Sequence, residues 1–451
     1  MPQKLSRLTK MIYGSGDIGF SMTTTIVSAY FLIFLTDVVG IRPAIAGISI
    51  LIGRTWDYIN DPLIGHISDR TRSRWGRRRP FLLFGALPFA LAFMLMWIKP
   101  PWENWMALTA YYAFAYVLFD TAATFVYMPY YALTPELTEN YDERTSLTSY
   151  RMFFSIFGSL LAFTVPIKII GSISPENAGR FFWMAIFFGL ISAIPLLLVF
   201  AFTREKKEFI AQSQPSFLNS LRAAFKNKPF IFGAGIYLIT WVAFDILQTV
   251  LLYFIKFVIG RETVSDLIMG TIFIVAIFAL PFWEWTSRKL NKRLAYAIGI
   301  AFWAVVQIVL INLNSSSPLP QIFFLCGMAG IGVSAAHVLP WSIIPDAIEW
   351  DEYQTGERHE GMFYSLITLT QKIASSIAIP LTALFLDMTH YAPNSSVQPE
   401  SALLGIRILT GPIPAALLLI GIGFAIKYPL SREEFNHVVT ELEARRLKAR
   451  S

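Results

Sequence analysis

The sequence predicts an all-α membrane protein of twelve transmembrane helices, arranged as two pseudo-symmetric six-helix bundles. Hydrophobic residues make up 55% of the 451-residue chain and charged residues only 15%, a balance that soluble domains do not need. The apolar residues gather into runs long enough to cross a bilayer, which takes about 20 helical residues. The basic residues fall in short connections between those runs, as membrane topology requires.

In chain order, the first six spans run near 14–36, 44–67, 81–99, 106–133, 150–172 and 181–203. The second six run near 230–257, 266–285, 294–313, 320–345, 362–386 and 403–427. The first apolar segment is too long for a signal-peptide core and no small-residue cleavage site follows it, so it is read as the first span. An even number of spans puts both termini on one side. Lys4, Arg7 and Lys10 precede span one, and Arg70, Arg72, Arg74, Arg77, Arg78 and Arg79 follow span two. The alternate connections hold chiefly Arg42, Lys99, Arg180 and Arg261. The expected product is a multi-pass protein of the cell (inner) membrane with both termini cytoplasmic. The net charge of +7 thus reflects topology, and nucleic acid is rejected as a partner. The one cysteine, Cys326, cannot form an internal disulfide.

The chain divides into an N-terminal bundle (1–203), a cytoplasmic linker (204–229), a C-terminal bundle (230–428) and a cytoplasmic tail (429–451). In the linker, Phe217, Leu218, Leu221 and Phe225 share one face of a short helix expected to lie on the membrane surface. The halves echo each other. Tyr131-Ala132-Leu133-Thr134-Pro135-Glu136 ends span four and Trp341-Ser342-Ile343-Ile344-Pro345-Asp346 ends span ten, while Arg288-Lys289 and Lys292-Arg293 follow span eight as a weaker copy of the basic loop after span two. Parallel six-helix repeats are a transporter design with the substrate site between the halves.

Span two carries Arg54, Asp57, Tyr58 and Asp61 on one helical face. A charge at mid-membrane costs about 2.5–3.5 kcal/mol on insertion scales and faces a bundle interior or a wet cavity. Two carboxylates one turn apart, beside the Asn60 carbonyl, can hold a small cation; the structural alternative has Arg54 neutralising one of them. On span four, Asp120, Thr124, Tyr127 and Tyr131 recur at helical spacing, so Thr124 can face the carboxylates while the tyrosines line a cavity or pack. Asp17 suits a loop arginine or a substrate, and Asp245 and Gln248 suit a substrate or a neighbouring helix. Lys168 and Lys256 can snorkel to an interface, and His337 reads as a hydrogen-bonded core residue. Arg151 and Lys372 have apolar neighbours on both sides and would be stranded without an anion.

The loop Gly65-His66-Ile67-Ser68-Asp69-Arg70, continuing to Gly76-Arg77-Arg78-Arg79-Pro80, resembles the cytoplasmic loop motif of the major facilitator superfamily. Gly65 would permit close helix approach, and Asp69, Arg70, Arg77 and Arg78 would pair across the halves as an inner gate. The acidic stretch Asp346, Glu349, Asp351, Glu352, Glu357 and Glu360 is either its counter-charge or a solvated loop. Trp56-Asp57 and Asn60-Asp61-Pro62, Arg74-Trp75-Gly76-Arg77 and Pro345-Asp346 resemble the glycoside–pentoside–hexuronide:cation symporters, the branch of that superfamily that includes the melibiose permease. The resemblance implies a major facilitator fold, a cation site at Asp57 and Asp61 (Na⁺ as the possible metal) with Asn60 and Thr124 beside them, and a substrate site that includes Arg151 and Lys372. The permease's two sugar-binding aspartates fall at Ser21 and Tyr127 and its tryptophan at Tyr131, which argues against a galactoside. Trp341 and Thr368 complete the substrate-lining set. Leu339-Pro340-Trp341 and Lys372-Ile373-Ala374-Ser375 also resemble the animal sodium-dependent lysophosphatidylcholine symporters.

The expected function is cation-coupled (Na⁺ or H⁺) symport of a sugar or acidic sugar derivative by alternating access, with the acidic derivative ahead of a neutral glycoside because Arg151 and Lys372 lack carboxylates. A lysophospholipid symporter is the alternative, and a cation channel the competitor of another class. No Ser/His/Asp set, metal-ligand spacing or Gly-rich phosphate loop points to an enzyme. The expected partners are a small-molecule substrate and membrane lipid, with no cofactor beyond the coupling cation, and the chain is expected to act as a monomer.

Overall fold

The apolar runs become helices, and four of them begin at a residue whose side chain satisfies a free N–H group. In the computed structural model, which describes residues 5–138, 141–205, 224–356, 360–430 and 432–448, α1 (Arg7–Phe34) is capped by Ser6, α4 (Trp105–Leu137) by Asn104, α7 (Lys228–Tyr253) by Asn227 and α9 (Lys292–Leu310) by Asn291. Between them lie α2 (Pro43–Arg70), α3 (Arg79–Leu95), α5 (Tyr141–Ile170), α6 (Ala178–Phe202) and α8 (Ser265–Lys289). The C-terminal half continues with α10 (Leu319–Thr355) and α11 (Glu360–Met388). The twelfth span is broken into α12 (Glu400–Thr410) and α13 (Pro412–Ile426), because Pro412 cannot continue the hydrogen-bond ladder. Among the described residues, nine helices are long and apolar enough to cross a membrane by length and composition. The other three are α3, with 17 residues, and α2 and α4, which carry the polar faces described above.

Several expected boundaries shift. α10 runs ten residues past its expected end, so Asp346, Glu349, Asp351 and Glu352 occupy helical turns, not a loop. The tail contains a further helix, α14 (Arg432–Lys448), which packs on the end of α10 through buried Val438 and Leu442 and through Arg445, whose Nη1 donates to the Tyr353 carbonyl at 3.0 Å. Most of the expected linker helix lies outside the described residues; residues 224–226 are helical, with Ala224 buried and Phe225 exposed.

Two sets of helices pack among themselves: α1 with α5 and α6, α2 and α3 with α4; then α7 with α11 and α13, α8 and α9 with α10. The sets meet along α2 with α11, α5 with α8 and α1 with α7. Exchanging the halves turns the first of these pairs into the second and leaves the third unchanged, which is the signature of a pseudo-twofold axis. A further repeat feature, absent from the sequence reading, supports it. α1 and α7 each end in a π-helical turn, Leu35–Val39 and Phe254–Ile259, closed by a left-handed glycine, Gly40 (φ 96) and Gly260 (φ 66).

Those two π turns face each other on the membrane side opposite the termini. The Lys256 ammonium lies 2.6 Å from Asp37 Oδ2 and donates to the Ile173 carbonyl at 2.7 Å; Tyr391 OH donates to Asp37 Oδ1 at 2.5 Å; and Thr36 and Tyr253 share a 2.8 Å hydrogen bond. Arg42 pairs with Asp387 at 3.0 Å in the same region. Lys256 therefore does not snorkel: it closes a buried pair across the halves. Breaking such a pair by removing one partner costs about 3–5 kcal/mol. Asp37→Asn is expected to open this face more often, read as faster thiol labelling of a cysteine placed at Ser28; unchanged labelling would show that the pair does not hold the halves together.

Candidate cation and substrate site

α2 presents Asp57 and Asp61 toward α4 and α11. Thr124 on α4 donates to Asp57 Oδ1 at 3.4 Å and to Asp61 Oδ1 at 3.1 Å. From the other half, the Lys372 ammonium lies 2.7 Å from Asp57 Oδ2 and also donates to Asp61 Oδ2. One ammonium thus bridges both carboxylates on the side opposite Thr124. Two neighbours fix the face of α2 that carries them: Trp56 Nε1 donates to Thr121 Oγ1 at 2.9 Å, and Tyr58 OH and Ser376 Oγ are 2.5 Å apart across the halves. Gly53 allows the α2–α4 approach, since a Cβ there would stand 2.2 Å from the Tyr116 ring.

Three further charged groups border this cluster. Arg54 donates to Ser28 Oγ on α1 at 3.0 Å, so Lys372, and not Arg54, is the cation paired with Asp57. Asp245 on α7 is 5% exposed and accepts from Ser375 Oγ, one turn beyond Lys372 on α11. Asp120 Oδ2 is buried with no hydrogen-bond donor. Asn60 is buried, 1% exposed, and its amide nitrogen donates to the Asp120 backbone carbonyl at 3.4 Å.

A second ionic group lies on α1, α4 and α5. Arg151 Nη2 is 3.7 Å from Asp17 Oδ2, Tyr131 OH donates to Asp17 Oδ1 at 3.0 Å, and the Arg151 guanidinium lies over the Tyr131 ring at 4.4 Å. Neither Arg151 nor Lys372 is therefore stranded. The argument for an anionic substrate fails at that point, because each buried cation already has a carboxylate that sequence spacing did not bring to it. Removing Arg151 would leave Asp17 buried and unpaired, so Arg151→Gln is expected to lower thermal stability strongly, on the order of 3–5 kcal/mol. Asp17→Asn in the same chain should restore much of it; no rescue would show that the two groups are independent.

Two expected lining residues are contacts between helices. Tyr127 is 2% exposed, with its ring 4.7 Å from Phe20 and 5.4 Å from Phe89. Ser21 Oγ donates to the Ser155 carbonyl and lies 3.1 Å from Ser159 Oγ on α5. Trp341, 36% exposed, packs edge-on to Tyr237 at 5.3 Å, and Thr368 is exposed with its hydroxyl donating to the Tyr364 carbonyl. His337 is half-buried, edge-on to Trp241 and Phe244, with Nδ1 2.9 Å from the Val333 carbonyl.

Among the described residues, the backbone of the loop after α2 is held from its own half. Glu205, just past α6, accepts from the backbone N–H groups of Arg77, Arg78 and Arg79 at 2.5, 2.8 and 2.9 Å, an anion seated at the start of α3. Gly76 (φ 107) leaves the room, because a Cβ there would meet that carboxylate at 2.6 Å. Arg78 Nη1 also donates to Ser68 Oγ, and Arg70 is exposed. In the C-terminal half Asp346 pairs with Lys292 at 2.5 Å, so its counter-charge is local. Gly65 is not a close-approach position: a Cβ there would meet only Met128, at 3.9 Å. The Asp69 side chain lies outside the described residues.

A carboxylate pair at membrane depth, held between two repeated six-helix bundles, defines a secondary transporter of major facilitator architecture. The chain belongs to the MFS/sugar transport protein family, whose model matches residues 12–432. It is 33% identical to an uncharacterized symporter of Synechocystis over 98% of both chains, and 31% identical to the uncharacterized symporter YnaJ of Bacillus subtilis over 98% of this chain and 96% of that one. It is 28% identical to sodium-dependent lysophosphatidylcholine symporter 1-A of Danio rerio, over 96% of this chain and 88% of that one. Among solved structures, the nucleoside transporter NupG superposes with a TM-score of 0.69 at 11% identity, covering 94% of this chain and all of that one. The D-xylose–proton symporter superposes with 0.67 at 15%, covering 93% and 96%; at these identities the likeness is one of fold. The protein is thus a multi-pass membrane transporter and not an enzyme.

Proposed function

We propose that the protein is a cation-coupled symporter working by alternating access, with Asp57, Asp61 and Thr124 as the cation site and both termini in the cytoplasm. The observation that carries this reading is the Lys372 bridge. Asp57, Asp61 and the Lys372 ammonium together carry one negative charge, which a single monovalent cation, Na⁺ or H⁺, held by the pair compensates. A buried net charge opposes rocking of one half against the other, so crossing is favoured with the cation bound. The ties between the halves described above, from Asp57 and Asp61 to Arg42, suit a carrier closed on its outer face.

The family's description supports a sugar as the substrate, bound near Tyr131, Arg151, Trp341 and Lys372. With both cations paired, an acidic sugar has no electrostatic advantage over a neutral one. A lysophospholipid is the second reading, favoured by the nearly full-length similarity to the lysophosphatidylcholine symporters. The test is uptake into proteoliposomes of sugars, uronides, sulfosugars and lysophospholipids, with Na⁺ and H⁺ gradients imposed separately. Saturable uptake that requires one gradient is expected. Current without saturation would make the protein a channel instead.

A further inference from the structure

We infer that Asp120 holds a second monovalent cation, a proton or an alkali ion, so that two cations are taken up in each cycle. This rests on the symport reading above and deepens it from one coupling cation to two. The charged groups of the site pair off with one carboxylate left over. Asp57 and Asp61 share the Lys372 ammonium and the one cation assigned to them. Asp245, on α7, faces the Arg54 guanidinium of α2 across the halves. Asp120 faces Asp57, Asp61, Lys372 and Arg54. Both cations within its reach therefore already serve other carboxylates, and the two carboxylates repel it.

The hydrogen bonding leads to the same residue. Asp57 and Asp61 each receive the Thr124 hydroxyl and the Lys372 ammonium, and Asp245 receives the Ser375 hydroxyl. Asp120 Oδ2 is buried and no donor reaches it among the described residues. The amide of Asn60, the donor that α2 brings to this residue, goes to its backbone carbonyl and not to its carboxylate. Asp120 lies one turn before Thr124 on α4, the helix packed against α2, with Tyr116, Phe119 and Ala123 buried around it. An ionised carboxylate enclosed in this way, with neither a donor nor a cation of its own, is strongly unfavourable and takes up a positive charge. One cation shared by all three carboxylates would leave the group a charge short; a second on Asp120 completes it.

The test counts cations on the purified full-length protein, as ²²Na⁺ retained at saturation and as protons taken up after a step from alkaline to neutral pH. The wild type is expected to hold one more positive charge per chain than Asp120→Asn: a second ²²Na⁺ where the occupant is an alkali ion, one extra proton where it is a proton. Asp120→Glu should restore the extra charge. Asp120→Asn keeps the side chain's shape and removes its unpaired charge, so its melting temperature in alkaline choline buffer should equal or exceed that of the wild type. A lower melting temperature, with no return of the extra charge in Asp120→Glu, would place Asp120 in packing alone. Equal counts of both cations in wild type and Asp120→Asn overturn the second site and leave the symport reading intact. A wild type that takes up neither cation overturns the symport reading and the second site with it.

Discussion

Replacing Asp57 or Asp61 by Asn should abolish gradient-driven accumulation while leaving substrate equilibration across the membrane. With one carboxylate gone, Lys372 and the remaining aspartate compensate each other without any added cation. A cation arriving there would create a buried positive charge instead of removing a negative one. At an effective dielectric of about 20, one charge at about 4 Å is worth ~4 kcal/mol, roughly a thousandfold in affinity. Uptake by each single variant should therefore reach the external concentration and stop, whatever gradient is applied. Accumulation above equilibrium by both would remove these carboxylates from the cation site.

Lys372→Met should have the opposite effect on binding and an equally large effect on turnover. Two unpaired carboxylates at membrane depth attract a cation with no tethered competitor, so cation affinity should rise, by an amount comparable to the loss above. The empty carrier, however, then returns with two buried negative charges on the pair where the wild type has one. Net uptake should fall to background, while exchange of internal for external substrate continues, because exchange never requires the empty carrier to cross. Loss of both activities together, with the protein still folded, would place Lys372 in substrate binding alone.

Span number, the two halves and the carboxylate face of α2 were legible in the sequence because each is a property of one segment. Hydropathy over about 20 residues reports a membrane span, and i, i+3, i+4, i+7 spacing reports a helical face. Helical spacing on α4 also let Thr124 face Asp57 and Asp61, and it donates to both. The partners of the buried charges were not legible. Lys372 lies 311 positions from Asp61 and Asp37 lies 219 from Lys256, and nothing in local spacing links such positions.

From its sequence alone the chain is a two-bundle membrane protein with a carboxylate pair at membrane depth, because bilayer thickness and helix periodicity act on short, contiguous stretches. Which cation compensates which carboxylate is decided only by tertiary packing. Arg151 and Lys372 read as stranded charges until α1 brings Asp17 to one and α2 brings Asp57 and Asp61 to the other. Gly65 and Tyr127 changed role for the same reason: whether a glycine admits a neighbour or a tyrosine lines a cavity depends on the helix opposite. A buried charge costs several kcal/mol unless it is paired, and its pairing partner can come from any helix that the fold places against it.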